Sequence, residues 1–227
     1  MRAVRRSLIG LVTVVVLAVV AAVTATSSQT RPEPESDRRS VLSADAVATA
    51  ALLAQIPDRS PGGVPAYDRL ADFGPAWYDI DENGCSTRDD VLARDLDNVV
   101  TTDGCTVLAG MLNDLYTATT IGFRRGVETS RLVQIDHVVP LAYAWGHGAS
   151  TWTGEQRLDY ANDPRVLLAV DGSANQAKGA AGPASWMPSN SAFACAYVAR
   201  FVGILHDYQL SVDAADRTVI SSILTSC

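Results

Sequence analysis

From residue 41 onward, apolar positions fall into short periodic groups separated by polar turns. Over 41–56, VLSADAVATAALLAQI, the residues Val47, Ala51, Leu52 and Ile56 share one side of a predicted helix, with Ser43 placed to cap it. Pro57 and Pro61-Gly62-Gly63 end that helix. Residues 103–134 read as short strands and turns, and the β-branched run in TATTIGFRR is expected to be extended. Val133, Ile135, Val138, Val139 and Leu141 then form an apolar run with Asp136 and His137 in its middle. After a long loop, Leu167-Leu168-Ala169-Val170 is a second short strand. Asp171-Gly172-Ser173 follows as turn and helix cap, with Asn175 and Lys178 on the first turns of a helix. Phe193, Tyr197, Phe201 and Ile204 or Leu205 recur at helical spacing over 192–208, and a last helix runs from Val212-Asp213 to Leu224. Helices and strands interleaved in this way predict an α+β fold.

The first 25 residues follow another pattern. Arg2, Arg5 and Arg6 precede an unbroken non-polar run from Leu8 to Val23 and then small residues, which reads as a signal peptide (1–25) with cleavage after Ala25, or as an uncleaved N-terminal anchor. Residues 26–40 are polar and carry prolines, too poor in apolar residues to join a core, and are expected to be a flexible linker. The single folded domain is therefore expected over 41–227, outside the cell or tethered to its surface. With 227 residues and 48% hydrophobic composition the chain suffices for one core. Its net charge of -7 requires that any nucleic-acid contact be made by a local group of cations.

The motif wording adds a resemblance. QIDHVVPLAYAW, ANDP, LLAVDGSANQAKG and the following ASWMPSN, with GCSTRDDVL around Cys85, resemble the small secreted bacterial proteins of the HNH endonuclease family, related to the nuclease module of GmrSD-type modification-dependent restriction enzymes. The likeness runs from about Tyr67 to the C-terminus and implies a ββα-metal core at about 133–180 with flanking helices. Four cysteines after an export signal imply disulfides and permit three connectivities. Pairing Cys85 with Cys105 and Cys195 with Cys227, each flanking one local unit, agrees with the resemblance.

Phosphodiester cleavage needs a deprotonated water, neutralised phosphoryl oxygens and a supported leaving oxygen. An unperturbed histidine titrates near neutrality, and His137 is the expected general base. Asp136, on the other side of the extended backbone, and Asn175 are expected to hold one Mg²⁺ or Mn²⁺, a hard ion suited to two protein oxygens and several waters. Lys178, the only lysine in the chain, is expected to contact a phosphate. Arg124, Arg125 and Arg131 are expected on the same basic face. The Thr-Arg pair typical of the resembled family implies that Arg88 faces the cleft, a surface ion pair being the alternative. Val166 stands where the middle Asn of the motif belongs, so Asn162 or Asp163 is expected to steady the site instead.

Two further constellations compete. Asp79, Asp81, Asn83 and Gly84 resemble the opening of an EF-hand loop, but its twelfth position is Asp90 where a bidentate Glu is needed, and a solvated turn is the better reading. A zinc site of Asp136, His137 and His147 lacks a recognised spacing. The resemblance thus implies a monomeric, metal-dependent secreted endonuclease acting on DNA or, second, RNA. The alternative is an HNH-like module that binds nucleic acid or a cell-surface partner without cutting it.

Overall fold

The structure, a computed structural model, describes residues 35–126 and 129–227. The expected signal segment and residues 26–34 of the expected linker lie outside the described residues. Helix α1 spans Glu35–Leu53, so it begins upstream of the expected start at Val41 and takes in residues assigned to the linker. Its phase also differs. Ala46, Leu53 and Ile56 are buried whereas Val47 is 71% exposed. The run AVATAALLA is small and apolar all round, so local pattern alone does not fix which side faces inward; packing against the C-terminal helices α7 (Ala194–Asp207) and α8 (Ala214–Leu224) does.

After the short helix α2 (Arg69–Phe73) come α3 (Thr87–Asp95) and a three-stranded antiparallel meander of β1 (Leu96–Thr101), β2 (Val107–Asn113) and β3 (Thr120–Arg124). Ser86 caps α3 by accepting from the Asp89 amide. The Thr87 hydroxyl instead donates to the Tyr78 carbonyl, tying the helix start to the preceding loop.

Strands β4 (Val133–His137) and β5 (Leu167–Asp171) form a separate antiparallel pair, with Asp136 opposite Leu168 and His137 opposite Leu167. Both faces of this pair are covered, which explains its nearly continuous apolar sequence. Val133, Ile135, Leu167 and Ala169 pack into one core with α3 and the meander. Leu168 and Val170 belong to a second, larger core built on α4 (Leu141–Gly146), α5 (Gly154–Asn162), α7 and α8. What was expected as one long loop between the strands is thus largely helical, α5 opening on a capping box between Thr153 and Gln156.

From β5 the chain turns directly into α6 (Gly172–Lys178), and the Asp171 side chain accepts from the Ala174 amide at 2.8 Å. Gly172 is required there: a Cβ would lie 2.0 Å from the Arg131 carbonyl oxygen. Helix α6 thus follows directly on β5, while α4 and α5 separate the two paired strands.

Disulfides join Cys85 to Cys105 and Cys195 to Cys227, with no free cysteine left. The second closes the C-terminus onto α7 across a sequence separation of 32. Replacing Cys195 and Cys227 by Ser is expected to lower unfolding free energy by about 3 kcal/mol, read as a drop in the urea midpoint.

Candidate active site

Alternation along β4 sends Asp136 and His137 to opposite faces, and the two end in different surroundings. Asp136 turns into the larger core, where burial would be costly without partners. It has three contacts: Lys178 Nζ lies 2.8 Å from Oδ1 and 2.7 Å from Oδ2, and the Tyr116 hydroxyl donates to Oδ2 at 2.6 Å. Lys178 Nζ donates also to the His137 carbonyl at 2.7 Å, so all of its donors are used on β4. Burial pushes the Asp136 carboxyl up and the Lys178 ammonium down, and the attraction between the two opposes both shifts. Tyr116 is held well above the usual phenol range, first by its own burial and then by the Asp136 charge, and so stays a donor.

This arrangement corrects two expectations. The Lys178 side chain has no exposed surface, so it cannot reach a phosphate; it fastens α6 to β4. Nor does Asp136 fit the role of metal ligand as it stands, because its charge is matched by Lys178. The Asn175 amide donates to Gln134 Oε1 at 2.9 Å, and no group of three His, Cys, Asp or Glu among the described residues is placed to hold a metal ion.

His137 takes the other direction. Its Nε2 lies 2.8 Å from the Ala161 carbonyl, which can only accept, so Nε2 carries the hydrogen and Nδ1 the lone pair. Nδ1 makes no hydrogen bond within the protein, and His137 lines a cleft of about 280 Å³ with Tyr67, Arg69, Asp136 and Asn175. Burial draws the His137 pKa down to about 4, the Ala161 carbonyl opposing and the nearby Arg69 and Lys178 charges adding to the fall. The imidazole is therefore neutral at pH 7.

Steadying of His137 comes from the expected segment but not from the expected atoms. Asn162 accepts from the Tyr78 amide and donates to the Leu158 carbonyl, and Asp163 accepts from Arg165 and Tyr208. Their neighbour Ala161 holds the ring through its backbone. Val166, at the position of the motif's middle Asn, is fully buried in the core.

Arg88 departs from its expected place. It lies over the Trp77 ring with Nη2 donating to the Val133 carbonyl at 3.3 Å, and it does not line the cleft. Arg125 is committed to Asp89 and the Val107 carbonyl. Arg69 is the cation that sequence reading passed over. It opens α2, is exposed at the cleft beside His137, and its guanidinium forms no ion pair or hydrogen bond among the described residues. Its only signal was its place in YDRLADF, within the recognised segment. Tyr116, in a stretch read only as strands and turns, gave none. His147 sits in a neighbouring cavity apart from Asp136 and His137, so the three do not form a zinc site.

Two stability measurements test this arrangement. Lys178→Met leaves Asp136 buried and uncompensated and is expected to cost about 3–5 kcal/mol by chemical denaturation; Asp136→Asn in the same chain is expected to recover part of it. His137 binds its proton more weakly folded, at about pH 4, than unfolded, at about pH 6.5. Between those values the unfolded state gains protons first, so acidification from pH 6.5 to 4 is expected to remove up to about 3 kcal/mol, and His137→Gln is expected to flatten that slope.

Comparison with known proteins supports a nuclease family. A protein of Arthroderma benhamiae described as an "Uncharacterized secreted protein" is 37% identical over 179 residues, covering 78% of this chain and 83% of its own length, and it extends the likeness beyond bacteria. No solved structure matches. The model of the family described as "GmrSD restriction endonucleases, C-terminal domain" matches residues 86–221, from the cap of α3 into α8, and contains β4, β5 and α6. The chain belongs to the family of GmrSD restriction endonuclease C-terminal domains.

Proposed function

We propose that this protein is a secreted endonuclease of the HNH type that hydrolyses phosphodiester bonds, of DNA first and RNA second, with His137 as general base. One observation carries this reading: the Ala161 carbonyl fixes the hydrogen of His137 on Nε2 and leaves Nδ1 without a protein partner, in a residue lining the same cleft as Arg69. Membership of a restriction-endonuclease family supports nuclease chemistry, and the secreted relative together with two disulfides supports action outside the cell.

In the proposed reaction, a water placed between His137 and the scissile phosphate gives its proton to Nδ1 while its oxygen bonds to phosphorus. Arg69 offsets the charge gathering on the phosphoryl oxygens. The phosphorus bond to the 3′ oxygen breaks and that oxygen takes up a proton, leaving 5′-phosphate and 3′-hydroxyl ends. A phosphate in the cleft raises the His137 pKa from its depressed value by adding a negative charge beside it, so the base gains strength as substrate arrives. No step is assigned to a divalent ion, because Asp136 as placed is held by Lys178.

Nicking of supercoiled plasmid by the purified, oxidised protein tests the reading. His137→Ala is expected to lower the rate by about 10²–10⁴-fold, and Arg69→Ala by more than about tenfold. Nicking that survives EDTA agrees with the Asp136–Lys178 pairing; nicking that needs Mg²⁺ or Mn²⁺ means Asp136 must leave Lys178 to bind the ion with Asn175. A folded protein that binds DNA and never cuts it is the alternative module, and the hydrolase reading is then wrong.

A further inference from the structure

Strand β4 has a partner strand along one side only. In an antiparallel pair, residues that bond across to the neighbour alternate with residues whose N–H and C=O point away from it. The Val138 amide donates to the Val166 carbonyl at 2.9 Å and the Gly172 amide to the Leu132 carbonyl at 2.9 Å, one position beyond each end of the pair. In that register Gln134 and Asp136 bond to β5, whereas Val133, Ile135 and His137 turn their backbone groups outward. On β5 the outward residues are Leu167, Ala169 and Asp171.

The surroundings of β5 agree with this parity. The Ala169 and Asp171 amides donate to side-chain oxygens of Asp95 at 2.8 Å and of Asp114 at 3.0 Å, and the Leu167 carbonyl accepts from Arg94 and Arg200. An outward amide of this pair thus takes a carboxylate oxygen of the protein. On β4 the outward carbonyls are covered in the same way, Val133 by Arg88 and His137 by Lys178. Its amides are treated differently. Among the described residues, the N–H groups of Ile135 and His137 have no hydrogen-bond partner, although both residues are largely buried. A buried amide without an acceptor is rare and costly. Both residues line the cleft, and because the Ile135 side chain packs into the smaller core, what Ile135 brings to the cleft is the strand edge.

We propose that the main-chain N–H of His137 is a donor to the scissile phosphate, so that one residue supplies both the base and a neutral contact to a phosphoryl oxygen. The ring Nδ1 takes the proton of the attacking water. The amide keeps its hydrogen and directs it at a non-bridging oxygen, where negative charge gathers as the water's oxygen bonds to phosphorus. An anion suits this edge better than a group with hydrogens to give. Two of the three outward carbonyls of β4 are occupied by cations, which leaves donors in excess, and backbone N–H groups are common phosphate contacts. The Ile135 amide, two residues back and about 6.6 Å away at the usual strand rise, is too far to meet the same oxygen. Arg69 lines the same cleft and adds positive charge. A chain whose other arginines are largely engaged can hold a phosphodiester in this way, because neutral amides make part of the contact.

The assignment rests on the reading of His137 as the base of a phosphodiester hydrolase, and the test separates the two. Amide hydrogen exchange and amide NMR spectra of the isotope-labelled, oxidised protein would be recorded in EDTA, with and without inorganic phosphate. In the free protein the Ile135 and His137 amides are expected to exchange at least about tenfold faster than those of Gln134, Asp136 and Val138, which donate to β5 or to Val166 just before it. Saturating phosphate is expected to slow exchange of the His137 amide at least about tenfold and to move its proton resonance downfield, with Asp136 and Val138 unchanged. That response is expected to persist in Arg69→Ala at phosphate concentrations that saturate the variant. A His137 amide as protected as that of Asp136 before phosphate is added, or one that phosphate does not move, would overturn the donor. So would a response absent from Arg69→Ala at every phosphate concentration. Plasmid nicking that His137→Ala abolishes, beside a silent amide, leaves the hydrolase standing and the donor wrong; a phosphate-responsive amide in a protein that never nicks does the reverse.

Discussion

A buried lysine bonded to a buried aspartate is the constraint on which this structure turns. Neither group would be tolerated alone where it lies. Lys178 comes from the last turn of α6, Asp136 from the end of β4, and Tyr116 from the loop after β2, so the contact sets the spacing of three segments remote in sequence. Because Nζ also donates to the His137 carbonyl, the peptide that carries the proposed base is held from behind by the same ammonium. The imidazole is held from the front by Ala161. Pre-organisation of this kind is what a general base needs, since a displaced ring loses its line to the water it must deprotonate.

Electrostatics elsewhere follow one habit. Arg94, Arg157, Arg200 and Arg217 spend their guanidinium groups largely on backbone carbonyls, at Pro164 and Leu167, at Asp72 and Trp152, at Arg165 and Leu167, and at Leu53 and Ile56. They act as staples between elements, satisfying carbonyl groups that helix ends and loops leave open. An acidic chain whose cations are used in this way keeps little positive charge for a ligand, which makes the exposure of Arg69 at the cleft informative.

Much of this was legible in the sequence and some was not, for physical reasons. The apolar run around Asp136-His137, the second strand, the Asp171 cap and the helix bearing Lys178 were readable because each depends on neighbours within a few positions. Cysteine pairing was readable because each bridge spans one local unit. The phase of α1 was not, since a run of alanines leaves the choice of inner face to helices that follow far downstream. The role of Lys178 was misread for a related cause: a lone lysine near a motif suggests a ligand contact, and only the fold shows that α6 turns it inward onto Asp136. Arg69 lies more than sixty residues before His137 in the chain, a distance over which sequence carries no sign of contact. His137 was legible as a candidate base, but the group that orients its ring is a carbonyl, and a backbone atom has no signature in a sequence.

The short helix α5 has a consequence for how much of this chain the cleft needs. One of its residues, Arg157, donates to the Asp72 carbonyl at 2.6 Å and so grips α2, the helix that starts with Arg69; another, Ala161, holds His137. Base and cation hang from one bracket, yet the matched family segment starts at residue 86 and leaves α2 out. The matched family segment and the cleft therefore have different edges. A fragment cut at the family boundary would preserve the strands, the lysine and the histidine while losing one bank of the cleft, so the smallest piece of this chain worth purifying is set by Tyr67 and Arg69 rather than by the motif.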